Sequence, residues 1–253
     1  MARAAGSAIM AIYQRDFEVF TKEDGSPLTE ADLAAHHIIH EALAQRGGGI
    51  PILSEESSDD FSGADAQGQY WIVDPLDGTR EFIKQNGEFT VNIALIRYGI
   101  PVIGVVYAPA LDLLYRTGDE REGAAGQAIK VGAGGERTLI QVATHAQGSP
   151  WRVVCSRSQG LDALQIYLDQ LGSYTRLAVG SSLKFCMVAE GSADIYPRFG
   201  PTCAWDTAAA HAVVSAAGGS VSTLDGQLLR YGPGARYLNP HFIVAGQNYM
   251  DSG

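Results

Sequence analysis

Tyr70-Trp71-Ile72-Val73-Asp74-Pro75-Leu76-Asp77-Gly78-Thr79-Arg80 is the stretch on which the reading of this chain turns. A run of bulky residues breaks off into two carboxylates three positions apart, followed by Gly and Thr. The run reads as a buried strand. Asp77-Gly78 reads as a tight turn, and Thr79 as a residue able to open a helix. Carboxylates at such a strand end suit a hard cation, and free helix N–H groups suit a phosphate oxygen. The stretch therefore reads as a metal-dependent phosphate site. Taken alone, Asp74-Pro75 and Asp77-Gly78 would equally serve as turn punctuation.

Three rival motifs fail on spacing. An EF-hand loop places ligands at alternating positions, which the Asp-x-x-Asp interval does not. Haloacid-dehalogenase phosphatases carry a second Asp two positions after the first, not three. No Gly-x-x-x-x-Gly-Lys-Ser/Thr loop occurs. His36-His37-Ile38-Ile39-His40 has the helical spacing of a zinc-protease motif, but His37 stands where that motif needs its glutamate base. These histidines read as helix-surface or interlobe residues.

The 253 residues are enough for one large domain or two intimate lobes. A formal charge of −10 argues against a nucleic-acid polymer or an anionic membrane as partner. It leaves room for a small anion, because bound cations invert the local field. Cys155, Cys186 and Cys203 are odd in number and widely spaced, so they read as reduced core residues of a cytosolic protein. No apolar run approaches membrane-spanning length, and the N-terminus lacks a signal-peptide core. Cytoplasmic placement is expected, with peripheral attachment to the inner membrane left open. Monomer and homodimer are both compatible with the chain.

Along the chain, residues 2–20 suggest a first helix. The apolar period from Ala31 to Leu43 predicts a second one, ended by Gly47-Gly48-Gly49, with Thr29 and Asp32 at the capping-box interval. Short strands are predicted at Ile50–Leu53 and Tyr70–Val73. Phe89–Arg97, Pro101–Tyr107 and Leu111–Thr117 read as an antiparallel meander. Gly123–Glu136 reads as a Gly-rich segment with few apolar residues. From about residue 150 the rhythm becomes strand–helix alternation: strand Trp151–Ser156, helix Leu161–Leu171, strand Tyr174–Leu177, helix Ser181–Glu190, strand Ala193–Tyr196, helix Asp206–Ala217 and strand Phe242–Ala245. An α+β lobe over residues 1–145 followed by an α/β lobe over residues 146–253 is expected.

Further acids lie where a strand ends or a helix begins, the places at which α/β folds assemble sites. Glu55 ends a strand, Asp206 follows Trp205 before a helix, and Asp32 opens one. Each has a plain alternative: solvated loop charge for Glu55, a helix cap for Asp206 and for Asp32.

Taken in order, the motifs Ser54-Glu55-Glu56, Asp74-Pro75-Leu76-Asp77-Gly78-Thr79 and Trp205-Asp206 resemble those of the lithium-sensitive, magnesium-dependent phosphatases of the inositol monophosphatase superfamily. Pro27–Asp32, Glu81–Asn92, Gly180–Phe185 and Tyr196–Thr202 narrow the resemblance to its bacterial CysQ-type 3'(2'),5'-bisphosphate nucleotidases. The likeness runs from about residue 4 to 245. It implies a layered αβαβα sandwich with the site between lobes. It also implies that Glu55, Asp74 and the Leu76 carbonyl bind one Mg²⁺, and that Asp74, Asp77 and Asp206 bind a second, with room for a third near Glu55. Thr79, oriented by Asp32, would position or deprotonate water, with Glu55 completing the catalytic set. The N–H groups of Gly78 and Thr79 would hold phosphate. Lys184 and Arg198 would contact a second phosphate, and Ser181 and Ser182 the sugar or base; Leu76, Asp77, Asp206 and Glu55 would border the same ester.

The resulting expectation is a Mg²⁺-dependent hydrolysis of the 3'-phosphate of 3'-phosphoadenosine 5'-phosphate (PAP), with 3'-phosphoadenylyl sulfate (PAPS) as a further substrate. The alternatives are an inositol monophosphatase or fructose 1,6-bisphosphatase of the same fold, and a catalytically inactive nucleotide- or metal-binding module.

Overall fold

The computed structural model describes the chain apart from residues 23–24, 125, 158–160, 233–236 and 250–253. Helix α1 (Ala2–Tyr13) is followed by a hairpin of β1 (Val19–Thr21) and β2 (Pro27–Thr29), then α2 (Glu30–Arg46). Next come β3 (Ile52–Ser54), β4 (Gln69–Asp77), the short α3 (Thr79–Ile83) and β5 (Thr90–Arg97). Strands β6 (Ile100–Ala108), β7 (Leu113–Thr117), β8 (Ala128–Val131) and β9 (Arg137–Ile140) extend the same sheet. The chain then leaves it for β10 (Trp151–Cys155), α4 (Leu161–Leu171), β11 (Tyr174–Ala178) and α5 (Leu183–Ala189). It closes with β12 (Ile195–Arg198), α6 (Ala204–Ala216), β13 (Ser220–Thr223) and β14 (Phe242–Ala245).

A seven-stranded sheet runs β3-β4-β5-β6-β7-β8-β9, and a five-stranded one runs β11-β10-β12-β14-β13. In the first, only β3 and β4 pair in parallel. In the second, β10 is parallel to β11 and β12, and β14 runs antiparallel to β12 and β13.

Side-chain alternation along the strands sorts these elements into layers. On one face of the first sheet, Val73, Val91, Ile93 and Tyr107 pack under Ala5, Ile9, Ala35 and Ile39 of α1 and α2. Their neighbours Ile72, Ala94, Ile96 and Val106 point the other way, onto Cys186, Ala209 and Val213 of α5 and α6. Val154, Tyr196, Phe242 and Val244 of the second sheet close that central layer. The opposite parity, Val153, Cys155, Ile195 and Ile243, packs on Leu164 and Leu168 of α4. The order is α1/α2, sheet, α5/α6, sheet, α4: the expected αβαβα sandwich.

Some expectations move. The first helix stops at Tyr13 instead of continuing to residue 20. Phe17 turns inward against Phe82, 4.8 Å between ring centres, and Val19–Thr21 pairs with Pro27–Thr29. Tertiary contact and a β-branched run outweigh helix propensity there. The Gly-rich segment contains β8, in which Ala128 and Ile129 are buried. β9 and β13, four residues each, carry too few apolar residues to announce themselves. All three cysteines are free thiols; Cys155 and Cys186 are buried. Among the described residues, no helix is long and apolar enough to cross a membrane.

His211, buried in α6 with Nδ1 3.1 Å from the Tyr231 hydroxyl, has its pKa pushed down by burial to about 4. Unfolding returns it to an ordinary value near 6.5, so the unfolded chain binds the extra proton. This contribution is complete above about pH 6.5 and is lost as pH falls toward about 4, on the order of 3 kcal/mol in all. His211→Gln should flatten the difference in urea stability between pH 7.5 and pH 4.5 relative to the parent. Equal slopes would remove His211 from the acid response.

Candidate active site

Strand β4 delivers two carboxylates to one place through an irregularity. In a regular strand, residues three apart point to opposite faces. Here Asp74 pairs with Asn92 but Asp77 pairs with Thr90, so β4 carries one more residue than β5 across that interval. This bulge at Pro75-Leu76 shifts the side-chain parity, and Asp74 and Asp77 both border the same cleft. Gly78 follows with φ +94°, a left-handed turn in which a Cβ would lie 3.2 Å from the Glu88 carbonyl oxygen. Thr79 then starts α3.

Helix α2 is capped as its spacing predicts, and the cap does two jobs. Asp32 Oδ2 accepts from Thr29 N at 2.7 Å and from Thr29 Oγ1 at 2.6 Å. Its other oxygen, Oδ1, accepts from Thr79 Oγ1 at 3.2 Å. Asp206 repeats the device on α6: Oδ2 caps Cys203 N at 2.8 Å, leaving Oδ1 without that duty. The cap and the functional reading of these acids are therefore one arrangement. Asp77 is clamped from behind. Its Oδ2 accepts from Ser182 N at 2.6 Å, with Ser182 Oγ at 2.8 Å, Asn92 Nδ2 at 3.3 Å and Thr90 Oγ1 at 3.4 Å.

Carboxylate oxygens of Glu55, Asp74 and Asp206 lie within 4.8 Å of one another. Two oxygens on one Mg²⁺, each at about 2.1 Å, are at most ~4.2 Å apart, so small rotations bring this set into range. Burial first, then mutual repulsion, pushes these acids up: Asp74 well above the usual carboxylate range and Asp206 up to about 8. Burial also raises Asp32 and Glu55. Crowded, buried anions of this kind call for a hard cation, and their all-oxygen chemistry suits Mg²⁺.

The cleft encloses about 510 Å³ and is lined by Glu55, Asp74, Leu76, Asp77, Gly78, Thr79, Asp206 and Arg198, with Arg80 and the loop from Gly200 to Cys203. Arg198 donates to the Gly200 carbonyl at 3.2 Å and the Pro201 carbonyl at 2.7 Å, fixing that wall. Ser181, Ser182 and Lys184 lie behind the wall and not on it. Lys184 is buried, donates to the Ser181 carbonyl at 2.5 Å and sits over the Tyr196 ring. Burial lowers its pKa to about 8. It braces Ser181, held at φ +48°, and so the turn from which Ser182 grips Asp77.

Sequence reasoning missed Lys22, whose ammonium donates to both Glu55 and Glu56 at 2.8 Å. It also missed Arg80 and the clamp formed by Thr90, Asn92 and Ser182. No local signal marks the contacts of Lys22, Thr90, Asn92 and Ser182, since the partners lie 13 to 105 positions apart.

The family model described as the inositol monophosphatase family matches residues 1–252. The chain belongs to that family. Among curated relatives, the 3'(2'),5'-bisphosphate nucleotidase CysQ of Salmonella typhimurium is 50% identical over 246 residues, covering 96% of each chain. The protein of that name from Escherichia coli K12 is 49% identical over 247 residues, 97% of this chain and 96% of its own. The crystal structure of CysQ from Bacteroides thetaiotaomicron superposes with a TM-score of 0.80 at 37% identity, over 98% of this chain and 94% of that one. Family membership accords with a magnesium-dependent phosphatase site built from the acids above.

Proposed function

We propose that this protein is a Mg²⁺-dependent phosphomonoesterase that removes the 3'-phosphate of PAP to leave AMP, with PAPS as a further substrate. The convergence of Glu55, Asp74 and Asp206 beside the Thr79–Asp32 pair carries this reading. Near-full-length similarity to CysQ nucleotidases supports the choice of substrate. Glu55, Asp74 and the Leu76 carbonyl would hold one Mg²⁺; Asp74, Asp77 and Asp206 would hold another. When bound, Mg²⁺ neutralises the phosphate dianion and supplies Lewis acidity at the reacting centre.

The chain's own groups do the rest. Thr79 Oγ1 can pass its proton to Asp32 Oδ1, 3.2 Å away, while accepting one from an attacking water. Asp32 stays oriented for this because Thr29 holds its other oxygen. The N–H groups of Gly78 and Thr79 face no intrahelical acceptor at the start of α3 and suit a phosphate oxygen. Arg198 lines the cleft, which supports its contacting a second phosphate. Lys184, Ser181 and Ser182 act from behind, by setting Asp77.

Phosphate release from PAP, inositol monophosphate and fructose 1,6-bisphosphate, measured side by side with millimolar Mg²⁺, tests the reading. PAP should be preferred, and a preference for inositol monophosphate would reject it. For the proton path, Thr79→Ser should keep most of kcat, while Thr79→Ala should lose about 10²- to 10⁴-fold with little change in KM. Equal kcat in the Ala variant would exclude Thr79 from the reaction.

A further inference from the structure

The three histidines of α2 lie outside the cleft, yet their arrangement is that of a metal-binding face. His36 and His40 are one helical turn apart, with ring centres 5.5 Å from each other and planes inclined by 36°. Residues at this interval share a face of the helix. We propose that His36 and His40 form a two-histidine site for a borderline first-row dication such as Zn²⁺, separate from the carboxylate cluster.

The ligand chemistry separates the two sites. Imidazole nitrogen suits Zn²⁺, Ni²⁺ and Cu²⁺, whereas carboxylate and carbonyl oxygen suit Mg²⁺. The half-buried His36 has Nδ1 2.9 Å from Ser54 Oγ, which fixes the ring and leaves Nε2 for an ion. A second hydrogen bond of this kind is the usual support of a metal-bound histidine. Burial and the neighbouring imidazoles lower the pKa of His36, which keeps its lone pair available at neutral pH. His40 is exposed and free to rotate toward it. His37 donates Nδ1–H to the Leu33 carbonyl at 2.6 Å and stands edge-on to His36. Among the described residues, the only three ligand side chains that converge within 4.8 Å are Glu55, Asp74 and Asp206. The histidine site is thus two-coordinate from the protein, completed by water or an external ligand. With no glutamate base in the motif, it binds and does not hydrolyse.

The His36–Ser54 hydrogen bond already joins α2 to the end of β3, and an ion held by His36 and His40 would fix the ring that makes it. Calorimetric titration of the full chain with Zn²⁺, in millimolar Mg²⁺ to fill the carboxylate cluster, reads the site directly. The parent and Asp74→Asn should each bind one Zn²⁺ and gain in melting temperature. His40→Ala should bind it about tenfold or more weakly and gain nothing. Absence of binding at submillimolar Zn²⁺ overturns the proposal. So does equal affinity in His40→Ala, or loss of the ion in Asp74→Asn, each of which would place Zn²⁺ on the carboxylates.

Discussion

Asp74→Asn should all but abolish phosphate release while making the metal-free protein more stable. Asp74 is 1% exposed and sits among Glu55, Asp77 and Asp206, so burial first and repulsion second disfavour its charged form when no cation is bound. The amide keeps the bond from Leu76 N, 3.0 Å from Oδ1 in the parent, and removes the charge. Metal-ion catalysis is worth several kcal/mol of transition-state stabilisation, so activity should fall by roughly 10³-fold or more. The folded metal-free protein must protonate this buried acid while the unfolded chain ionises it freely, so the amide should stabilise the apo form at neutral pH by about 1–3 kcal/mol. The pH response follows from the raised pKa values of Asp74 and Asp206. The unfolded acids ionise near their ordinary value, about 3.8, and Asp206 in the fold only near about 8. The cluster's favourable contribution is thus present below that lower value and drains away as pH rises toward 8 in metal-free samples. Saturating Mg²⁺ should reverse the stability order, since a ligand at a hundred times its Kd contributes about 2.7 kcal/mol to the form that binds it. Melting curves with and without Mg²⁺ decide this; a metal-free variant melting below the parent would contradict the charge argument.

Gly104→Ala should be the most damaging small substitution away from the cleft. A Cβ at Gly104 of β6 would stand 2.1 Å from the Ala209 carbonyl oxygen and 2.7 Å from Ala212 Cβ, both on α6. Backbone cannot rotate aside as a flexible side chain can, so sheet and helix must separate. Overpacking of this severity costs about 3 kcal/mol, or roughly 6–12 °C in Tm for a chain of this length. The helix that moves also carries Asp206 in its first turn. Activity should therefore fall together with stability, and added Mg²⁺ should restore less of it than in the parent. A variant melting with the parent would show that the interface yields more easily than its geometry implies.

Both predictions separate what was readable along the chain from what was not. The strand before Asp74, the capping box of α2, and helix Leu161–Leu171 are legible in the sequence, because each is a pattern closed within a few residues. The αβαβα order was implied by resemblance, and parity of the strand residues now explains it physically. The flanking glycines hide β8, a short Ala-Ile-Lys-Val strand that pairs with β7 and β9. The surroundings of Lys184 were not legible either: a cation near a helix start suggests an anion, and the fold turns its ammonium toward the Ser181 and Val179 carbonyls.

The amino-acid order alone determined which acids are available, where chain segments end, and that Thr29 and Asp32 cap α2; that Cys203, not Asp206, is the N-cap residue of α6 came from the fold. Only the folded molecule decided that Asp74 and Asp77 share a side, that Ser182 and Asn92 hold the second of them, and that Lys22 reaches Glu55. Caps and periodicity are set by bonds spanning three or four residues. A bulge is set by the strand it pairs with, and a clamp by groups brought together when two sheets close on α5 and α6.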